Sequence, residues 1–441
     1  MRLSLARMNG IRSSMGQING PQDLNHNTKL MKSKAPFSAC SLWCITLSAS
    51  LTLVVCADEG WQRHTIDDSS RGADGVRLMD VNGDGLMDIA VPWEQGNMVR
   101  AYLHPGHESA DQIWPAVTVG NVKSAEDAVF ADLDGDGTID LVSSCEGNTR
   151  AMFAHWAPTE KNRYLDPKAW QTERIPACEK QSWMYALPMQ IDGKGGIDVV
   201  VASKGDGAMI GWLMSPANPR RLGDWRLSKL QDAGWIMSLI DVDMNHDGRR
   251  DILVSDRKGS RRGVYWLENP GSEETLRGNA WRRHDIGGSD REVMFIAVGD
   301  LDRDGWQDVI AATRSEIFWC QSLVNGWKTF PIDYPEGVGT GKSAVIVDVN
   351  QDGKNDIVFS CENAKGDLSG IRWLSWKQSP TERHWESHEI GGPLGYKYDR
   401  IEMYDVDGDG DLDALCCEER DQLGVFWYEN PYENQVPAVF K

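Results

Sequence analysis

One nine-residue pattern limits what this chain can fold into. Asp-x-Asp/Asn-x-Asp-Gly-x-x-Asp opens "DVNGDGLMDIAV" at Asp80, "DLDGDGTIDLVS" at Asp132, "DMNHDGRRDILV" at Asp243 and "DLDRDGWQDVIA" at Asp300. It returns as "DVNQDGKNDIVF" at Asp348 and "DVDGDGDLDAL" at Asp405. A seventh, degenerate copy, "QIDGKGGIDVVV", begins at Gln190. Successive starts lie 48 to 58 residues apart, the period of propeller blades or solenoid turns.

Carboxylates at this density repel unless a cation sits among them. Oxygens from the first, third, fifth and ninth places, with the backbone carbonyl of the seventh, form the shell that a hard divalent ion takes, and the sixth-place glycine permits the sharp turn. The proposed ligand sets are Asp80, Asn82, Asp84, Leu86 and Asp88; Asp132, Asp134, Asp136, Thr138 and Asp140; and Asp243, Asn245, Asp247, Arg249 and Asp251. The other three are Asp300, Asp302, Asp304, Trp306 and Asp308; Asp348, Asn350, Asp352, Lys354 and Asp356; and Asp405, Asp407, Asp409, Asp411 and Asp413. Calcium accepts so many carboxylates at flexible geometry, whereas magnesium demands a stricter octahedron. An EF-hand is excluded, because its twelfth place needs a glutamate between helices and these loops have Val91, Ser143 or Phe359 there, inside β-branched runs. The copy at Gln190 carries Lys194 at the fifth place, an ammonium that could replace the metal. Six calcium ions are expected.

The intervening segments read as strands. A Trp-led strand ("WQRHTI", "WPAVTV", "WQTERI" and four more) precedes each apolar strand that enters a loop. After the loop come the "DILV"-type strand and an aromatic one such as "GVYWLENP". Four short strands taken seven times suit an all-β, seven-bladed propeller. The chain begins on a Trp-led strand, Trp61 to Ile66, and ends without one. The first strand can therefore complete the last blade and leave no open edge.

A formal charge of −20 makes nucleic acid or an acidic membrane a poor partner. Residues 1–57 read as a signal region: lysines 29, 32 and 34, then the apolar "SLWCITLSASLTLVVCA" with a small-residue end, and Met31 as an alternative start. The competing readings are a membrane anchor or a lipoprotein on Cys56. Secretion, a periplasmic location or the cell surface follows, with no stable membrane span after signal removal, and residues 58–441 form one propeller. Six cysteines remain, in strand-like runs that suit buried free thiols as well as disulfides.

The loops followed by apolar strands resemble the FG-GAP and VCBS-type repeats of integrin-α-like seven-bladed propellers, over residues 61 to 430. That resemblance implies calcium ions bracing the hairpin between the first two strands of each blade, and ligands meeting the opposite, upper face. "VYWLENPG" also resembles the propeller of fungal aldos-2-ulose dehydratases, without their cupin domains.

Residues six before each loop, and six after each ninth-place Asp, should then ring one mouth. The first set is Asp74, Glu126, Met184, Met237, Met294, Lys342 and Asp399; the second is Glu94, Glu146, Lys204, Arg257, Arg314, Glu362 and Glu419. Lys204, Arg257 and Arg314 form a basic arc facing an acidic one, with Trp93, Trp183, Tyr185, Trp235, Tyr396 and Tyr398 as flat surfaces nearby. Aromatic plates beside charged groups suit a glycan, including an anionic sugar. Two function classes follow: a binding module for glycan or protein, and a carbohydrate lyase or dehydratase using Lys342, Tyr398 or a carboxylate. His64, His284 and His388 recur within Trp-led strands and read as structural, and no catalytic triad, phosphate loop or zinc spacing is present.

Overall fold

The computed structural model describes residues 60–278 and 280–432. The signal region lies outside the described residues. Seven four-stranded antiparallel sheets follow one another, and the order of strands within each is that of a propeller blade. Blade 1, for example, comprises Arg77–Met79, Asp88–Trp93, Met98–Tyr102 and Ala116–Gly120. Blade 7 takes Glu402–Tyr404, Asp413–Glu418 and Gly424–Glu429 from the end of the chain and Gln62–Asp67 from its beginning. Gln62 pairs with Glu429 and Asp67 with Val425, so the ring closes as the strand order requires.

Burial is greatest at the second strand of each blade and falls off toward the outermost strand. The second strands are β-branched and small, and Asp88–Trp93, Asp140–Cys145, Asp251–Asp256, Asp308–Thr313 and Asp413–Glu418 are buried throughout. The outermost strand Gln171–Arg174 is exposed throughout. Both faces of each second strand meet a neighbouring blade, as where Leu253 and Trp266 pack with Val309 and Phe318. Each such side chain contributes about 1.5–3 kcal/mol when fully buried. The histidines of the Trp-led strands are structural. The rings of His64, His284 and His388 stack on Trp427, Trp266 and Trp373 at 4.4, 4.1 and 3.8 Å. All six cysteines of the described residues are buried free thiols.

The nine-residue loops share one hydrogen-bond lattice. In all six intact copies the sixth-place glycine N–H donates to the first-place Asp, at 2.9 to 3.2 Å. The seventh-place N–H donates to the fifth-place Asp, at 2.8 to 3.0 Å. The sixth-place glycine has positive φ in every copy, and so does the fourth-place residue, which is His246, Arg303 or Gln351 in three of them. A non-glycine residue in that region is uncommon, so these loops hold a costly backbone for the sake of their carboxylates.

The ninth-place Asp has a second role that its sequence position does not reveal. All seven, Asp198 of the degenerate copy included, are no more than 1% exposed. Each accepts from the second-place N–H of its loop, at 2.8 to 3.2 Å. In six blades the other oxygen accepts from the backbone at or just past the end of the third strand. The carboxylate therefore fastens the loop to the third strand whether or not a cation is present.

Candidate functional site

Alternation along the strands decides what reaches the centre. Successive side chains of an extended segment point to opposite faces, so where Asp399 turns inward, ahead of the first strand of blade 7, Tyr398 turns away from it. Tyr398 is fully buried, packs edge-on to Phe426 at 6.0 Å and donates its hydroxyl to the Leu394 carbonyl. Its assignment to the upper face is thereby corrected. Trp93 and Trp183 are buried beside Glu94 and Met184, with indole N–H groups on Tyr102 and the Cys178 carbonyl at 2.9 Å; at Trp183 a bulge lets Met184 and Tyr185 both reach the mouth. Met294 lies in the core, and the Tyr396 hydroxyl bonds Asn363 at 2.9 Å.

The remaining predicted residues converge. A cavity of about 400 Å³ opens at the loop-free ends of the inner strands, and all seven blades line it. Glu94, Glu146, Lys204, Trp235, Arg257, Arg314, Lys342 and Glu362 are all present, with Asp74, Glu126, Met184, Tyr185, Met237, Asp399 and Glu419. Lys397 and Arg420 also line it, and the sequence reading missed them. A signal for Lys397 existed: Trp235, Glu292 and Lys397 stand two residues before Met237, Met294 and Asp399 and form a third rung.

The charges of the two arcs are largely paired. Most pair across the seams between blades, because long side chains reach the neighbouring carboxylate. Lys204 bonds Glu146 of the preceding blade, whereas Lys397 and Glu419 pair within blade 7. Arg257 meets Glu292 at 3.0 Å and Arg314 meets Glu362 at 2.8 Å. Lys342, only 7% exposed, lies 3.1 Å from Asp399. Burial lowers its affinity for the proton, but the charges of Asp399, Asp74 and Glu362 outweigh that and hold it protonated.

Three carboxylates form no direct ion pair among the described residues, with Lys397 and Lys342 acting on Asp74 from farther off. Asp74, Glu94 and Glu126 each bring an oxygen within 4.8 Å of the other two. Burial, reinforced by the charge of Asp399, pushes Asp74 up to about 7; burial and the charge of Asp74 push Glu126 well above the usual carboxylate range. The ionised form of Asp74 therefore opposes the fold as pH rises from about 4 through 7. Asp74→Asn should leave the melting temperature unchanged at pH 4. At pH 8.5 it should stabilise by about 2 kcal/mol, discounted for water in the mouth. Thermal melts at the two pH values check this, and equal shifts at both would show that Asp74 is not held protonated.

On the opposite wall, Trp235 is surrounded by cations. Lys204, Arg257 and Lys258 stand 4.6, 4.8 and 4.7 Å from its ring centre. The Asp256 carboxylate fixes this corner by accepting from the Gly234 and Trp235 N–H groups at 2.9 and 2.8 Å.

The loops on the other face can be compared with known repeats on these details. The family model for the FG-GAP-like repeat matches residues 80–143, 243–311, 300–359 and 348–416, together more than half of the chain. The chain belongs to the FG-GAP-like repeat family. A T-cell immunomodulatory protein homolog of Plasmodium falciparum is 26% identical over 173 residues, 32% of this chain and 24% of that protein. The chain thus spans about a quarter of that relative's length. Among solved structures, an Agrocybe aegerita lectin specific for non-reducing terminal N-acetylglucosamine is 15% identical (TM-score 0.43, 73% of this chain and 80% of that one). The AfRom2 CNH domain is 11% identical (TM-score 0.48, 83% and 99%).

FG-GAP repeats often hold calcium, and the loops of this member fit such an ion. Oxygens of Asp132, Asp134 and Asp136, of Asp300, Asp302 and Asp304, and of Asp405, Asp407 and Asp413 gather within 4.8 Å. Both carboxylate oxygens of Asp411 and one of Asp348 are buried with no hydrogen-bond partner, the condition of a ligand aimed at a cation. The copy at Gln190 is built differently. The Gln190 amide accepts from Gly193 N–H and donates to the Gly196 carbonyl, both at 2.9 Å, and spans the loop by itself. Lys194 is exposed and forms no ion pair among the described residues. The side chain that bridges this loop is thus Gln190.

Proposed function

We propose that this FG-GAP propeller is an exported, calcium-braced binding module that takes a carbohydrate or protein ligand at its central mouth. One observation carries the reading: a cavity of about 400 Å³ to which every blade contributes, with seam ion pairs holding its rim in place. Such a site offers convergent polar groups beside the flat surfaces of Tyr185 and Trp235. Export rests on the signal region of residues 1–57, and no helix of the described residues is long and apolar enough to cross a membrane. Six loops would hold calcium through the ligand sets given above; the ion would supply fixed positive charge that cancels the aspartates.

A second reading is a lyase or dehydratase. It is favoured by Asp74, pushed up to about 7 and so a proton donor at neutral pH, in the same cavity as the cationic Lys342. A glycan-array and lyase screen of the mature protein, with calcium and with chelator, separates the two. Retention without turnover supports the module, and unsaturated or dehydrated products decide for the enzyme. Trp235→Ala and Arg257→Ala should each weaken a bound ligand at least tenfold; unchanged affinity in both would remove the mouth as the site.

A further inference from the structure

Exposed apolar side chains are scattered thinly over this propeller, except at one seam. Of nine large apolar side chains exposed among the described residues, three meet between blades 4 and 5: Trp306 (44% exposed), Leu323 (44%) and Val324 (84%). They edge a cleft of about 300 Å³ on the loop-bearing side, at the low end of small-molecule sites (about 300–1,000 Å³). Trp266 and Trp327 complete its aromatic walls.

Two acidic loops aim the exposed indole. Trp306 is the seventh residue of the loop at Asp300, and its backbone N–H donates to the Asp304 carboxylate at 2.8 Å. Its ring lies 6.0 Å from that of His246, the left-handed fourth residue (φ 59) of the neighbouring loop at Asp243. Asp243 and Asn245 of that loop also line the cleft. The side chains of His246, Gln307 and Ser322, and the indole N–H groups of Trp306 and Trp327, make no hydrogen bond to the protein among the described residues. No lysine or arginine lines the cleft.

We propose that this cleft is a second binding site, separate from the mouth, that takes a neutral saccharide. A pyranose presents an apolar face of C–H groups and a rim of hydroxyls. The indole of Trp306 offers a flat apolar plate for the first. Free amide, imidazole, hydroxyl and indole N–H groups around it serve the second. An anionic sugar is disfavoured, because no lysine or arginine lines the cleft to pair with it. Calcium in either loop would stiffen the wall it belongs to, so saccharide affinity should fall with chelator.

The test is titration of the protein with neutral gluco-, manno- and galacto-oligosaccharides, read by tryptophan fluorescence and calorimetry. Trp306→Ala should lower affinity at least tenfold, Gln307→Ala about threefold, and Trp306→Phe should restore most of the loss. All three should melt with the parent protein, since both side chains are exposed. Arg257→Ala, in the mouth, should leave this binding unchanged, so failure here and failure of the mouth are told apart. The proposal is overturned if no neutral oligosaccharide binds, or if Trp306→Ala binds as the parent does. It is equally overturned if the cleft captures only a protein partner.

Discussion

Removing calcium should lower the melting temperature of this protein by on the order of 10 °C at neutral pH and low salt. Twenty-one aspartates stand at the side-chain ligand places of the six intact loops, against a net formal charge of −20. Each loop brings three or four of them to one point, where like charges oppose the fold. Six divalent ions would bring the total to about −8. At tenfold excess over the dissociation constant each ion stabilises by about 1.4 kcal/mol, or on the order of 8 kcal/mol for six. That is comparable with the whole stability of an ordinary domain. Sodium chloride should offset part of the fall by screening. Melts in calcium, magnesium and chelator at two salt concentrations measure it, with elemental analysis counting about six ions. A melting temperature indifferent to calcium would reduce the loops to acidic turns. A seventh ion would show that the Gln190 amide does not stand in for one.

Deleting residues 61–67 should convert a soluble ring into an aggregating one. The strand Gln62–Asp67 pairs along Gly424–Glu429, and its loss exposes a sheet edge bearing Val425 and Phe426, a template for association. Side-chain closures go with it. Asp67 pairs with Arg100 and accepts from the Tyr102 hydroxyl at 2.7 Å, while His64 meets Glu429 at 2.7 Å. Ile66 is fully buried, so Ile66→Ala, which keeps the edge covered, should cost about 2–5 kcal/mol without aggregation. Size-exclusion chromatography and melting curves distinguish the two variants. A truncated chain that stays monomeric with the parent melting temperature would mean that the ring does not depend on this closure.

Much of this was legible along the chain because it is local. The aspartate spacing, the glycine at the sixth place and the apolar run after the ninth are each satisfied within one hairpin, so seven copies announce seven blades. The inward positions were legible too, since a fixed offset from a repeated loop returns the same place in every blade. Reading failed where the period-two alternation was ignored, which is why Tyr398 and Trp93 were placed at the rim although their neighbours Asp399 and Glu94 already occupied the inward face; at Trp183 a bulge breaks the alternation, and Met184 and Tyr185 both face the mouth. It also failed at the ninth-place Asp, whose bond past the third strand is invisible to a motif defined by nine consecutive residues.

The sequence by itself thus determined the blade number, the four-strand unit, the place of the nine-residue loops and the closure by the first strand. These depend on contacts within a repeat or between the chain's two ends, and the repeat pattern encodes both. The tertiary structure alone decided which charges meet. Lys204 finds Glu146 and Arg314 finds Glu362 across seams between blades, and Asp74, Glu94 and Glu126 are brought within 4.8 Å of one another. Trp306 likewise becomes one wall of a cleft only because the loop at Asp243 lies beside it. Side-chain reach across a seam depends on how neighbouring blades are set in the closed ring, and no spacing along one chain records that.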